Sequence, residues 1–469
     1  MFYLYLYLAM LVGALTTLIA MTAMRQSERH SVGKFGWLLL ILLSPPIGLV
    51  LFLFLGGRKI SAEHENREIV QLPTHASIAG GESHPLAEIA VTRGLVAPSD
   101  HNRLRVLLDP ESMWKALFEV VESAERRIYV HSFILIDDRV GQRLIDVLCA
   151  KAKSGVEVRL MIDGFGSFTF PNGLLESLEQ AGGYCTRFKP LSRIAKFAYL
   201  NYRNHRKLMV VDGQQAILGG ANFVEYEMTP TPDNETWVDF LLQVDGQAAQ
   251  QIEAVFLSDW DFATEQESRP PLSKLTTSVS EAQGNELASE DRTMMQVIPV
   301  GPDGPDEILD DLWLAAINRA NDRIWIVTPY FVPPPTAMRS LEIAARRGVD
   351  VRVIVPESSD MPPADVARGD YLHDLTESGG KALCYPDRMV HSKMLLVDDQ
   401  VAYIGSANFD MRSFFLNYEL VLAVFDQTKI DELATWYDKL SDQCIDDPVE
   451  KNWRRRLLGI TARVFAEEM

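Results

Sequence analysis

Residues 1–24 carry no charged side chain, and neither do residues 35–57. A bilayer core is crossed by about 20 apolar residues in a helix, so each run is long enough to span it. Only a short stretch with Arg25, Arg29 and Lys34 separates them. The pattern predicts a transmembrane helical hairpin over residues 1–58. Pro45 and Pro46 fall near the middle of the second run, where a kink is expected because proline removes a backbone donor. No basic region precedes the first run, which reads as a span rather than a cleaved leader. Arg58, Lys59 and Arg67 follow the second. The basic residues on the two sides balance, so they set no orientation.

Past the spans the pattern changes. Residues 59–102 read as a polar connector with short helical or strand pieces, and residues 264–292, low in large apolar side chains, as a linker. Between and after them, apolar positions at helical spacing alternate with short β-branched runs, and they do so twice. Trp114, Leu117, Val120 and Val121 share a helix face and precede the strand-like run from Arg127 to His131. Arg323 to Val327 is that run's partner in the second copy. Gly155-Val-Glu-Val-Arg-Leu160 matches Gly348-Val-Asp-Val-Arg-Val353, a glycine ending a helix before a strand in each. Gly182-Gly183 leads to Pro190 as Gly379-Gly380 leads to Pro386. The expected fold is α/β: two pseudo-twofold-related halves, residues 103–263 and 293–469, each on a mostly parallel sheet and packed into one catalytic unit.

Composition narrows the class. Hydrophobic residues are 47% and charged residues 23%, which excludes a disordered or collagen-like chain. Lys plus Arg is 45 and Asp plus Glu is 64, a net charge of −19, so nucleic acid is not an expected partner. Four cysteines, with no C-x-x-C pair, make neither a disulfide framework nor a cysteine zinc site.

The repeat culminates in the chemistry. The first copy reads Asn204-His205-Arg206-Lys207, then Asp212-Gly213, then Gly219-Gly220-Ala221-Asn222. The second reads His391-Ser392-Lys393, then Asp398-Asp399, then Gly405-Ser406-Ala407-Asn408. In both, Lys follows His by two, Asp follows His by seven, and Asn follows Asp by ten. Residues two apart in a strand share a face, so His and Lys point together. The Asp pairs read as hairpin turns into a second strand. A lone His-x-Lys is most often a satisfied core or surface residue; two matched copies with the same downstream asparagine are not. Two His, two Lys and two Asn suit a phosphodiester. Lys207, Lys393, Asn222 and Asn408 would hold the non-bridging oxygens, while one His attacks phosphorus and the other protonates the leaving oxygen. The lysines supply the positive charge, so neither metal nor other cofactor is expected.

The duplicated H-x-K-x-x-x-x-D pattern is that of the phospholipase D superfamily, which the chain resembles over roughly residues 100–469. Within it the chain is similar to bacterial cardiolipin synthases. The match rests on Trp37, Pro46 and Gly48, Asp163-Gly-Phe-Gly-Ser167, the Asn201–Lys207 stretch and Gly301-Pro-Asp303. It extends to Thr328-Pro-Tyr-Phe331 and the segment from Asp410 to Glu419. The segment after Asn222 departs from the family pattern. The resemblance implies a multi-pass enzyme of the cell membrane acting on phosphatidylglycerol and other membrane phospholipids. It implies transfer of a phosphatidyl group from one phosphatidylglycerol to another, through a phosphohistidine, with glycerol released. The alternative is a membrane-anchored phospholipase D that yields phosphatidic acid; a non-catalytic scaffold is the third class. The resemblance places His205, Lys207, Asp212, His391, Lys393 and Asp398 in the catalytic set, with His205 as nucleophile and His391 as acid. It also implies that Asp239 and Glu419 orient the imidazoles, in the same half or the opposite one.

Residues 191–204, inserted only in the first copy, mix Arg193, Lys196 and Arg203 with Phe197, Tyr199 and Tyr202. They read equally as a headgroup-contacting segment or a packed loop. Trp114, Trp313 and Trp325 fit the repeat cores, and His101 and His131 read as structural or surface residues. Arg454-Arg455-Arg456 reads as a solvated face.

Overall fold

The computed structural model describes residues 5–13, 72, 84–190, 202–230, 236–264 and 292–446. Among them, one sheet is built from β1 (Asn102–Leu107), β2 (Arg127–Ser132), β3 (Glu157–Asp163), β4 (Tyr184–Phe188), β5 (Leu208–Val211), β6 (Gln215–Gly219) and β7 (Leu241–Gly246). Its order is β1-β7-β6-β5-β2-β3-β4. The second copy contributes β8 (Met295–Val300), β9 (Arg323–Val327), β10 (Phe331–Val332), β11 (Asp350–Pro356), β12 (Lys381–Tyr385), β13 (Met394–Val397), β14 (Val401–Gly405), β15 (Phe409–Asp410), β16 (Glu419–Val424) and β17 (Ile445–Asp446). Eight of these form the second sheet, ordered β17-β12-β11-β9-β13-β14-β16-β8, while β10 and β15 pair separately.

The two α/β halves are as expected; the mostly parallel sheets are not. Within the two large sheets only β2-β3-β4 and β9-β11-β12 run parallel; the separate β10–β15 pair is parallel as well. The other neighbours in both sheets are antiparallel. The reason is local. Helices Arg139–Lys153 and Asn172–Gln180 carry the chain back between β2, β3 and β4, and a parallel pair needs such a crossover. Beyond them the connections are tight turns. Asp212 and Gly213 both take positive φ, 55° and 69°, the combination that a type I′ turn, matched to the sheet's own twist, requires.

Each sheet buries its outer face under its own helices and its inner face against the other half. One apolar cluster joins both sheets, with Leu208, Leu242, Trp260, Trp325, Leu422 and Tyr437 among its members. Trp325 stacks on Tyr437 at 4.7 Å, and Trp313 on Phe409 at 4.9 Å. Trp114 is only partly buried, at the edge of the first half's outer cluster. Helix Pro85–Thr92, within the stretch read as a connector, buries Leu86, Ala87 and Ala90 in the second half's cluster. The chain thus crosses the second half before it starts the first.

Residues 5–13 are helical. The rest of the hairpin expected over 1–58, most of the 264–292 linker, residues 191–201 and the Arg454 run lie outside the described residues. No helix among the described residues is long and apolar enough to cross a membrane.

Candidate active site

His205 precedes β5 and His391 precedes β13, each as extended chain that crosses to the other half. The His205 amide donates to Tyr418 O at 2.9 Å, and the His391 amide to Val238 O at 2.8 Å. Short parallel bridges, Asn204 to Tyr418 and Val238 to Val390, continue the stitching. The imidazoles are held crosswise too. His205 Nδ1 lies 3.0 Å from both Glu419 oxygens, and His391 Nδ1 lies 2.9 Å from Asp239 Oδ2. The resemblance left open which half supplies each acid: the opposite one does. A carboxylate only accepts, so each Nδ1 carries its hydrogen and each Nε2 is left for chemistry.

Both lysines are buried at the same place. Lys207 Nζ donates to His205 O at 2.7 Å. Lys393 Nζ bonds to His391 O and lies 3.4 Å from Gly220 O and 3.6 Å from Asp239 Oδ2. Phe133 packs edge-on to His205 at 4.9 Å, and Trp237 lies 5.1 Å from His391. Burial pushes His205 down to about 4, assisted by Lys207 and Lys393 and opposed by Glu419. Burial also lowers Lys207 to about 7, and Lys393 moves down for the same reason. Burial alone would raise Asp239 and Glu419. The Lys393 charge and the His391 bond outweigh it at Asp239, and His205 and Lys207 do so at Glu419, so both stay below the usual carboxylate range. A neutral imidazole beside two lysines that burial, not a missing counter-charge, pushes toward losing their protons is a site where a bound anion would favour their charged form.

The two motif aspartates do not join this cluster, which corrects their place in the catalytic set. Asp212 sits in the β5–β6 turn and accepts from the amides of Glu125, Arg126 and Arg127 at 2.8–2.9 Å. Asp398 does the same for Asn321, Asp322 and Arg323, each at 2.9 Å. Each pins the start of the central parallel strand to the far end of the histidine-bearing strand. Removing such an acceptor strands three amides. Asp398→Ala should therefore lower stability by about 2–4 kcal/mol and leave turnover per folded molecule within a few-fold of wild type. Denaturant titration with activity measured on the folded fraction checks this. Turnover that falls by about 10³-fold in fully folded protein would return Asp398 to the chemistry.

Asn222 and Asn408 reach the site differently. Asn222 accepts from the Ile134 amide at 3.1 Å, and its Nδ2 donates to Glu227 Oε1 at 2.8 Å. Asn408 Nδ2 lies 3.3 Å from Asp410. Three groups outside the expected set also belong here. Glu227 is fully buried, with Oε2 3.4 Å from His391 Nδ1. Arg206, between the first His and Lys, is fully buried and clamped by Asp259 at 2.7 Å and by both oxygens of Asp303 at 2.9 Å. Asp303 comes from the second half, so this buried ion cluster locks the halves behind the histidines. Arg203, read with the basic insertion, instead turns inward to Asp163 at 2.7 Å, and Tyr202 is buried beside it. His131 is buried between Met161 O and Asn204 O, a structural residue, and exposed His101 pairs with Asp100.

The chain has clear relatives. The family described as "Cardiolipin synthase, PLD-like domain" matches residues 117–260 and 313–441, and the one described as "Phospholipase_D-nuclease N-terminal" matches residues 9–57. Cardiolipin synthase A of Pseudomonas aeruginosa is 31% identical over 453 residues, covering 93% of this chain and 90% of that protein. Cardiolipin synthase 1 of Bacillus anthracis is 30% identical over 427 residues, covering 87% and 82%. Among solved structures, phosphatidylserine synthase of Haemophilus influenzae superposes with a TM-score of 0.61 at 15% identity, over 82% of this chain and all of that one. At that identity the likeness concerns the fold.

Proposed function

The chain belongs to the family of phospholipase D-like cardiolipin synthases, and we propose that it joins two phosphatidylglycerols into cardiolipin and glycerol through a phosphohistidine on His205. The observation that carries this reading is the crosswise pairing: each Nε2 is freed by an acid from the opposite half. His205, neutral at pH 7, attacks phosphorus. The P–O bond to the glycerol headgroup breaks, and the leaving oxygen takes the Nε2 proton of His391. A hydroxyl of a second phosphatidylglycerol then gives its proton to His391 and attacks phosphorus, and the P–N bond breaks. Lys207 and Lys393 hold the non-bridging oxygens throughout, and that negative charge offsets the strain of burying them.

The surroundings support a lipid substrate. Phe165 and Phe168 are 51% and 67% exposed on the turn that follows β3, tied to the site through Asp163 and Arg203. Met361, 45% exposed, follows β11 in the corresponding place of the second half. The apolar runs within residues 1–58 would serve as a multi-pass anchor in the cell membrane.

Transfer between alcohols exchanges one phosphodiester for another and is nearly thermoneutral, whereas hydrolysis is effectively one-way. Purified protein with labelled phosphatidylglycerol as sole lipid should form cardiolipin. Added glycerol should suppress that product and regenerate phosphatidylglycerol, with little phosphatidic acid. Phosphatidic acid as the main product at every glycerol level would contradict the proposal and favour a hydrolase.

A further inference from the structure

The two histidines are held by unlike surroundings, although their motifs match. Glu227 lies five residues after Asn222, where the second half has Ser413 five residues after Asn408. The two occupy the same slot: the Asn222 amide donates to Glu227 Oε2 at 2.7 Å, and the Asn408 amide to Ser413 Oγ at 3.0 Å. What each then offers its acid is opposite. Ser413 Oγ donates to Glu419 Oε1 at 2.9 Å, Ser406 Oγ donates to Glu419 Oε2 at 2.5 Å, and Asn417 Nδ2 adds a third contact at 3.3 Å. The charge that faces His205 is therefore shared among three neutral donors. In the first half, Gly220 stands where Ser406 would be, and a Cβ there would lie 2.5 Å from Asp239 Oδ1. Among the described residues no hydroxyl donates to Asp239. Instead Glu227 brings a second carboxyl to the same Nδ1, at 3.4 Å beside Asp239 at 2.9 Å.

We propose that Glu227 is a positioning residue that makes the pair unequal: with Asp239 it forms a two-acid cradle that keeps the proton on His391. His391 is thereby committed to the acid role and His205 to attack. This rests on the phosphohistidine reading above and adds to it a residue that breaks the site's pseudo-symmetry. The other ionisable groups around the cradle are Lys393, which neutralises part of Asp239, and Lys207, His205, Glu419, Tyr226, Tyr330 and Asp360. Tyr226 and Tyr330 are both pushed up by burial, with Glu227 among the charges that add to it. They stay neutral, so Lys393 and Lys207 are the cations that work against the cradle.

The sign of the effect is fixed. In the free enzyme kcat/KM requires His391 protonated and Lys207 and Lys393 charged, so activity falls on the alkaline side as those protons are lost. Removing a nearby negative charge makes them easier to lose. Glu227→Gln should therefore move the alkaline limb of the profile down by about 1 pH unit. Glu227→Ser, which copies the second half, should do the same, and Glu227→Asp should restore most of the wild-type limb. A merely structural role in holding the Asn222 turn would lower kcat evenly and leave the limb in place, which would overturn the proposal. A direct histidine titration by NMR separates this from the catalytic reading. The His391 midpoint should drop in Glu227→Gln while the His205 midpoint stays. An unmoved His391, or equal movement of both, would overturn the cradle even if wild-type protein makes cardiolipin. Conversely, a wild type that makes none would sink the functional reading and leave the titration informative. Glu227, Asp239 and His391 also bring ligand atoms within 4.8 Å of one another. If the wild-type limb appears only with an added divalent ion and vanishes in EDTA, the residue holds metal and the cradle is wrong.

Discussion

His205→Ala should abolish cardiolipin formation, with kcat falling about 10⁴-fold or more. Of the remaining groups only His391 has a free ring nitrogen, and its proton commits it to the acid role. The lysines are donors whose job is charge, and Glu419 and Asp239 are occupied as acceptors at the Nδ1 atoms. His391→Ala should cost a comparable factor for a different reason, since the leaving alkoxide then has no proton donor. The variants differ in one observable: His205→Ala forms no covalent lipid, whereas His391→Ala retains the attacking nitrogen. Steady-state assays in mixed micelles, with circular dichroism to verify folding, check both. Activity within ten-fold of wild type in His205→Ala would remove it from the chemistry.

Glu419→Gln should lower kcat by about 10³–10⁴-fold with little change in KM. The carboxylate accepts from His205 Nδ1 and so leaves the lone pair on Nε2. A glutamine can turn its amide N–H toward Nδ1, which moves the hydrogen to Nε2 and points the wrong tautomer at phosphorus. Ser406, Ser413 and Asn417 already hold the side chain in place, so the loss comes from the tautomer rather than from a displaced ring. The effect crosses between halves, because Glu419 lies 214 residues after His205. A change confined to KM, or a fall of less than ten-fold, would show that the acid positions lipid rather than imidazole.

How far the sequence foretells this site depends on distance along the chain. The paired His, Lys and Asn motifs, the Asp-Gly hairpin and the glycines that end helices are local patterns, and each is legible. The crosswise pairing is not, since no spacing relates His205 to Glu419 or His391 to Asp239. The role of the motif aspartates is in fact readable. At about 3.3 Å per residue, Asp212 lies on the order of 16 Å beyond Lys207 along an extended strand, too far to share its site. The strand–helix alternation points to mostly parallel sheets only when it outweighs the hairpins, which antiparallel neighbours alone can make. Glu227 is visible only as a departure from the family pattern. Arg206 looks like a spacer between two catalytic residues until its partners Asp259 and Asp303 come together around it.

The central claim is that one cross-braced site transfers a phosphatidyl group through His205. Its most direct test is a trap with the His391→Ala protein, in which attack persists at a reduced rate and the second alcohol is not activated. Brief incubation with radiolabelled phosphatidylglycerol, rapid quench at alkaline pH to preserve the P–N bond, and peptide mapping by mass spectrometry locate the label. A phosphatidyl adduct on the peptide that contains His205, absent from the His205→Ala/His391→Ala protein, is the expected result. Label on His391 in the His205→Ala protein, with none on His205 in the His391→Ala protein, would reverse the assignment and contradict this division of labour.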